Sequence, residues 1–142
     1  MSNPQTPFQI LGEQGIRDLV NAFYDIMDTL PEASDIRKMH ARNLGPMKDK
    51  LSDYLIGWMG GPPLYHQKHG TVCMTEPHEP FAIGPEERDQ WLLCMKKALD
   101  AVGASDELKQ MLDKPMFRIA DAVRNREQSS QFKGDPNVIA TG

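Results

Sequence analysis

Apolar residues recur at intervals of three and four along most of this chain of 142 residues, and no stretch alternates apolar with polar residues as strands do. This period is typical of helices that bury one face. The first such face contains Leu19, Val20, Phe23, Tyr24 and Met27. The sequence therefore predicts an all-α fold of five or six helices. We expect one domain over residues 1–127 and a mobile polar tail over 128–142.

Glycine and proline mark the expected helix ends. Pro46 suits the first turn of one helix, and the motif Gly60-Gly61-Pro62-Pro63 ends that helix. Pro85 suits the start of the next helix. The last helix contains Pro115, which predicts a kink or a split into two helices.

The connection between Pro63 and Gly84 is predicted to be rich in loops, and it holds His66, His69 and His78. His78 lies in the sequence Glu-Pro-His-Glu-Pro. Proline fixes its own φ and restrains the preceding residue, so this histidine cannot lie inside a long regular helix. We expect the backbone to aim its imidazole. Long loops in compact domains are usually functional or disordered, and the aromatic and histidine content here favours function.

Composition narrows the classes of partner. The chain has 16 basic and 20 acidic residues, and the basic residues are scattered, which argues against nucleic acid. No stretch approaches the roughly 18 apolar residues that span a bilayer, and the start does not resemble a secretory signal. We therefore expect a cytoplasmic protein without membrane contact. Cys73 and Cys94 are expected to be reduced thiols, with Cys94 in the core.

The predicted helix faces carry unusually large residues. In a small all-α domain, a large apolar ligand would lie between helices. Pattern alone nevertheless favours an ordinary core over a cofactor site. The residues concerned are Phe23, Tyr24, Leu51, Tyr54, Leu55, Trp58, Trp91 and Met95.

Six blocks of sequence favour the cofactor site over an ordinary core. They are Phe23-Tyr24 with Met27-Asp28, LIGWMGGPPLY at 55–65, His69-Gly70, HEPFAI at 78–83, RDQWLLCM at 88–95 and ADAVRNR at 120–126. In their order and spacing these blocks resemble the group II truncated haemoglobins, from about Leu11 to Arg126. The resemblance implies a two-over-two helical sandwich around one haem b.

The resemblance places His78 at the proximal iron ligand. A neutral imidazole nitrogen binds iron well, and one protein ligand leaves the opposite coordination position open for a diatomic molecule. The alternative from the residues alone is a loop histidine that caps the following helix.

The same resemblance assigns the distal side. Tyr24 matches a tyrosine that donates a hydrogen bond to bound oxygen, and Trp91 matches the tryptophan characteristic of this group. His40 matches a variable position that could donate to the ligand or bind the iron itself. Met47 and Leu51 match apolar distal positions. Without the resemblance, Tyr24 would be a half-buried helix residue and His40 a surface residue.

The remaining cofactor contacts follow from spacing and from the resemblance. The expected donors to the haem propionates are Tyr65, Lys68 and His69. The residues expected to pack on the macrocycle are Phe81, Tyr54 and Leu55, and Met95 is a further expected cofactor-binding residue. The chain departs from the family before His78, where Thr75-Glu76-Pro77 replaces the arginines that members often carry.

The resemblance implies reversible binding of oxygen and of other small ligands, namely nitric oxide, carbon monoxide or peroxide. Each donor to bound oxygen contributes about 1.5–3 kcal/mol, and each 1.4 kcal/mol is a factor of ten, so oxygen should leave slowly. Slow release suits holding, sensing, nitric oxide dioxygenation or peroxide reduction. These 142 residues contain no reductase domain, so we expect a partner reductase.

Two alternatives remain open at this point. A metal-dependent hydrolase could be built from His66, His69, Cys73 and His78, although they lack regular ligand spacing, and it predicts zinc in the purified protein. A haem-free helical interaction module would use the aromatic face to contact a partner helix, and it predicts a colourless protein.

Overall fold

The structure is a computed structural model that describes residues 6–70 and 83–123. Helices dominate these two ranges, which contain no strand. The elements are α1 (Pro7–Thr29), a 3₁₀ turn (Pro31–Ala33), α2 (Ser34–Lys38), α3 (Gly45–Trp58), α4 (Leu64–His69), α5 (Pro85–Ala101) and α6 (Asp106–Ala122). The predicted all-α class is confirmed. The predicted tail at 128–142 lies outside the described residues.

Helix α1 begins with a capping box. The Thr6 hydroxyl accepts from the Gln9 backbone N–H at 3.1 Å, and the Thr6 N–H donates to Gln9 Oε1 at 2.8 Å. Gly12, with φ +73°, interrupts the helix. The buried face of α1 consists of Ile16, Leu19, Val20, Phe23, Tyr24 and Met27. The helix therefore extends beyond the predicted apolar face of Leu19 to Met27, mainly toward its N-terminus.

The Gly-Gly-Pro-Pro motif lies where the start of α1 crosses the end of α3. The Phe8 N–H donates to the Met59 carbonyl at 3.0 Å. A Cβ atom at Gly61 would stand 2.5 Å from the Phe8 ring, so only glycine permits this approach. The prolines also begin α4, since the Gln67 N–H donates to the Pro63 carbonyl at 3.0 Å. The predicted loop is therefore wrong over residues 64–69, because proline can start a helix as well as end one.

Helix α6 is capped by Ser105, whose hydroxyl accepts from the Leu108 N–H at 3.2 Å. The helix continues through Pro115, so of the predicted alternatives, a kink or a split, the split is wrong. A proline removes one helical hydrogen bond and crowds the preceding turn. Buried side chains on both sides of it, including Leu112 and Met116, offset that cost and keep the helix in one piece.

Helix α1 is the centre of the packing. It packs most extensively against α5 and α3, and less so against α2 and α6. Helix α3 also packs on α4, and α5 also packs on α6. The pairs α1 with α3 and α5 with α6 form the predicted two-over-two arrangement. Within 6–70 and 83–123, no helix is both long and apolar enough to cross a bilayer.

Candidate functional site

A cluster of rings joins three elements of the fold. Phe23 on α1 is fully buried, and its ring centroid lies 4.9 Å from Tyr24 and 5.2 Å from Trp91 of α5. The Tyr24 centroid lies 5.7 Å from that of His40, just after α2. All three contacts are edge-to-face, the geometry that aromatic quadrupoles favour. The structure therefore brings together Tyr24, His40 and Trp91, the three polar residues predicted for the distal side.

The Tyr24 side chain is only 2% exposed. Its hydroxyl makes no hydrogen bond within the described part of the chain, and its oxygen is not sealed by protein atoms. Burial raises the pKa of Tyr24 well above the ordinary 10.0, because a phenolate would be poorly solvated here. The residue is therefore a neutral donor at physiological pH.

His40 is held by a backbone carbonyl. Its Nδ1 atom lies 2.7 Å from the carbonyl oxygen of Ile36. A carbonyl oxygen only accepts, so Nδ1 must carry the proton. The neutral ring then has a lone pair on Nε2, which can accept a hydrogen bond or bind a metal ion. It becomes a donor at Nε2 only as the imidazolium.

Trp91 is partly buried on α5 and packs against the core. Its indole N–H makes no hydrogen bond to any residue in the two described ranges. An indole nitrogen is a donor only, so Trp91 offers a second uncommitted donor beside Phe23.

Helix α3 and the facing part of α5 supply apolar surface. Leu55 is fully buried and Met95 is 2% exposed. Met47, Leu51 and Tyr54 are partly buried and pack against the core. Burial raises the pKa of the Tyr54 phenol. All five were predicted to contact the cofactor, Met47 and Leu51 as apolar residues of the distal side.

The residues predicted for the propionates lie at α4. The Tyr65 ring centroid is 6.1 Å from that of Tyr54 and 4.7 Å from that of His69. His69 and Lys68 are exposed. The Lys68 ammonium, however, lies 3.0 Å from Oδ2 of Asp53, which the sequence interpretation did not single out.

Several predicted residues cannot be placed. His78, Phe81 and Cys73 lie outside the described residues, as does the 75–77 departure from the family. His66 and His69, the other members of the hydrolase hypothesis, are exposed on α4. No group of three potential metal-binding side chains occurs within 6–70 and 83–123.

Sequence reasoning missed the role of Phe23 as a bridge and the whole role of Asp53. Phe23 was recognised only as a member of a buried face. Asp53 does carry a signal, because it is a charged residue between the apolar residues Leu51 and Leu55 of a predicted helix face. Its partners could not be found in this way, since they lie 36 and 15 residues away along the chain.

Comparison with known proteins decides the family. The sequence profile described as bacterial-like globin matches residues 7–125. The chain belongs to the bacterial-like globin family.

The relatives of this globin are group II truncated haemoglobins. The group 2 truncated haemoglobin YjbI of Bacillus subtilis is 34% identical over 106 residues, which cover 75% of this chain and 78% of the relative. The solved group II 2-on-2 haemoglobin of Agrobacterium tumefaciens is 38% identical with a TM-score of 0.82, over 89% of this chain and 98% of that chain.

A third relative is the solved truncated oxygen-avid haemoglobin from Bacillus subtilis. It is 31% identical with a TM-score of 0.78, over 85% of this chain and 100% of that chain. The protein is thus a group II truncated haemoglobin with the two-over-two fold, and its family implies binding of haem and of small diatomic ligands.

The described residues of this globin fit a haem. A macrocycle needs apolar surfaces, which Leu55 and its neighbours on α3 offer together with Met95 on α5. A polar ligand at its iron needs donors from a nearly buried site. Tyr24 and Trp91 carry such donors, and neither uses its donor within the described chain.

Proposed function

We propose that this globin holds one haem b between α3 and α5 and binds oxygen reversibly with slow release. The observation that supports this most directly is the pair of uncommitted donors, the Tyr24 hydroxyl and the Trp91 indole N–H, which flank the buried Phe23 ring. Neither donor atom is fully enclosed by protein, so both remain accessible to a ligand placed beside the ring cluster.

Haem, when bound, supplies an iron with one coordination position open to a diatomic ligand. In this proposal His78 is the proximal iron ligand. The residues that would line the cofactor are Met47, Leu51, Tyr54, Leu55, Phe81 and Met95. Tyr65 and His69 would be the donors to its propionates, since their rings adjoin at the exposed end of α4.

Tyr24 and Trp91 would retain the ligand. Dioxygen becomes partly anionic in haem proteins, and a hydrogen bond to such a group contributes about 1.5–3 kcal/mol. Because burial keeps Tyr24 neutral, its donor remains available across the physiological pH range. His40 has a different part, since the neutral ring already donates through Nδ1 to Ile36. Its Nε2 is equipped to compete for the open iron position.

Slow release favours holding, sensing or reaction over delivery. Nitric oxide dioxygenation and peroxide reduction are the reactions that suit a retained ligand, and carbon monoxide should bind at the same place. Continued turnover would consume electrons, so the proposal includes a partner reductase, and we propose the cytoplasm as the location.

Absorption spectra of the purified protein test the proposal. Wild type, His78→Ala and the control His66→Ala would be measured ferric, then reduced with dithionite, each with and without carbon monoxide. We expect a Soret band that shifts with carbon monoxide in wild type and in His66→Ala, whose histidine is exposed on α4. His78→Ala should lose or alter that band.

Other outcomes identify other interpretations. A low-spin six-coordinate spectrum before any ligand is added, abolished by His40→Ala, would identify His40 as a second iron ligand. A wild-type protein that stays colourless after haem is supplied would overturn the proposal in favour of an interaction module. Stoichiometric zinc would support the hydrolase hypothesis instead.

A further inference from the structure

Asp53 on α3 is a nearly buried carboxylate, with 2% of its side chain exposed. Its Oδ1 lies 3.3 Å from the Arg17 guanidinium of α1, and its Oδ2 lies 3.0 Å from the Lys68 ammonium of α4. One carboxylate therefore joins three helices. We call Asp53, Arg17 and Lys68 the carboxylate clamp.

The clamp is asymmetric in its exposure. The Arg17 and Lys68 side chains are 27% and 56% exposed, so water screens the two cations more than the carboxylate. A buried carboxylate is expensive unless it is paired and hydrogen-bonded, which makes its two partners necessary. The ion pairs themselves add little net energy, and what they provide is a fixed geometry among the helices.

Helix α4 depends on this geometry more than the other helices do. It has only six residues, and none of them is buried. Its one ion pair within the described chain is that between Lys68 and Asp53. The chain then runs from His69 to the proposed iron ligand His78 in nine residues. Helix α4 also carries Tyr65 and His69, the proposed donors to the propionates, so the position of α4 sets where those donors lie.

We propose that Asp53 is a positioning residue for the cofactor, which holds α4 in place through Lys68 and so slows the loss of haem. This inference rests on the proposed function, because it assumes that the globin binds haem. It also reassigns Lys68. The sequence interpretation made Lys68 a donor to the propionates, whereas the structure engages its ammonium with α3.

Haem dissociation distinguishes these two roles of Lys68. Haem transfer to an excess of apomyoglobin would be timed for wild type, Asp53→Asn, Lys68→Met and the double variant. Each would be loaded with haem or with haem dimethyl ester, which has no propionate charge. Residues that orient metal ligands from outside typically change affinity by about 10–100-fold, so we expect each single variant to lose haem about tenfold faster.

Three further results are expected if the clamp positions α4. The double variant should lose haem no faster than the faster single variant, because both substitutions break one interaction. The effect of Lys68→Met should persist with the dimethyl ester. Lys68→Arg should lose haem as slowly as wild type, since it keeps the cation that Lys68→Met removes. The control Lys50→Met removes an exposed lysine of α3 that has no ion pair within the described chain, and it should behave as wild type.

The contrary results are equally specific. An effect of Lys68→Met that disappears with the dimethyl ester would assign Lys68 to a propionate and overturn the inference. Unchanged haem loss in Asp53→Asn and Lys68→Met would also overturn it, while the proposed function stood. A wild type that takes up no haem would overturn both. If Asp53→Asn fails to fold, the Lys68 variants carry the test, because Arg17 still pairs with Asp53 in them.

Discussion

Tyr24 and Asp53 are both 2% exposed and both polar, but only Asp53 has polar partners within the described chain. Asp53 forms ion pairs with Arg17 of α1 and Lys68 of α4. The Tyr24 hydroxyl has no hydrogen-bond partner within the described chain, although the Tyr24 ring contacts the rings of Phe23 and His40. Tyr24 lies on α1 and Asp53 lies on α3, and these two helices pack directly against each other.

The difference separates a group that serves the fold from one available to a ligand. An ionised carboxylate cannot remain buried without partners, so its partners are part of the structure. A phenol can remain neutral at small cost, and its raised pKa keeps it so. The fold can therefore keep a donor without a protein partner at this position, and a ligand-binding site requires such a donor.

The largest expected effect is the loss of stability when the Asp53 carboxylate loses both of its cationic partners. The double substitution Arg17→Met and Lys68→Met removes both cations and leaves the buried charge unpaired. We expect the free energy of unfolding to fall by about 3–5 kcal/mol, the usual cost of breaking a buried ion pair from one side. Urea unfolding of the two proteins measures this.

Adding Asp53→Asn to that double variant is the matched test. It removes the stranded charge and should recover a large part of the lost stability. Glu13→Gln, which alters the exposed partner of Arg17, should change stability by less than about 1 kcal/mol. A double variant as stable as wild type would show that the carboxylate does not depend on its partners, and the comparison with Tyr24 would fail.

The second effect is expected in ligand release rather than in stability. Tyr24→Phe keeps the ring contacts with Phe23 and His40 and removes only the hydroxyl. We expect the oxygen dissociation rate to rise by about ten- to a hundredfold, since a lost hydrogen bond of about 1.5–3 kcal/mol corresponds to that range. Stopped-flow measurement of oxygen release gives the rate.

The free energy of unfolding of haem-free Tyr24→Phe should stay within about 0.5 kcal/mol of wild type, because the hydroxyl has no protein partner to lose. Thr29→Val, which removes a hydroxyl from the exposed last turn of α1, is the control and should release oxygen as wild type does. A stability loss without faster release would place Tyr24 with Asp53 as a structural residue.

The smallest effect concerns a third buried polar group, Cys94. Burial raises the pKa of its thiol from 9.0 to about 11, despite the opposing influence of Lys97. The folded protein thus binds the proton more tightly than the unfolded chain does. This contribution is complete below pH 9 and is lost as pH rises through 11, by at most about 2.7 kcal/mol at 1.36 kcal/mol per unit.

Urea unfolding of wild type and Cys94→Ala at several pH values from 8 to about 11 checks this. Loss of the thiol side chain should lower the free energy of unfolding by the same amount at every pH. The test is therefore how steeply the free energy of unfolding falls with pH in each protein. We expect the stability of wild type to fall more steeply than that of Cys94→Ala. Parallel curves would mean that the thiol is not the group that titrates.

Much of the fold was predictable because helices leave a local record. The period of apolar residues predicted α1, α3, α5 and α6, and the resemblance predicted their arrangement. The errors came from proline. Pro62 and Pro63 were predicted to end a helix, but they also start α4. Pro115 was predicted to kink or split the last helix, which is continuous in the structure.

The candidate site was predictable only in part. The resemblance singled out Tyr24, His40 and Trp91; in the structure Tyr24 and Trp91 contact Phe23, and His40 contacts Tyr24. It could not show that the His40 proton is fixed on Nδ1, because that depends on the backbone carbonyl of Ile36. The role of His78 stays a prediction, since that residue lies outside the described part of the chain.

The sequence by itself determined the helical class, the family and the identity of the candidate ligand-binding residues, because periodicity and ordered motifs are properties of neighbours along the chain. Only the tertiary structure decided which polar groups are paired and which remain available. Asp53 meets Arg17 and Lys68 through the packing of α1, α3 and α4, while the Tyr24 hydroxyl has no hydrogen-bond partner within the described chain. Pairing depends on distances between residues far apart in sequence, and those distances exist only once the helices have packed.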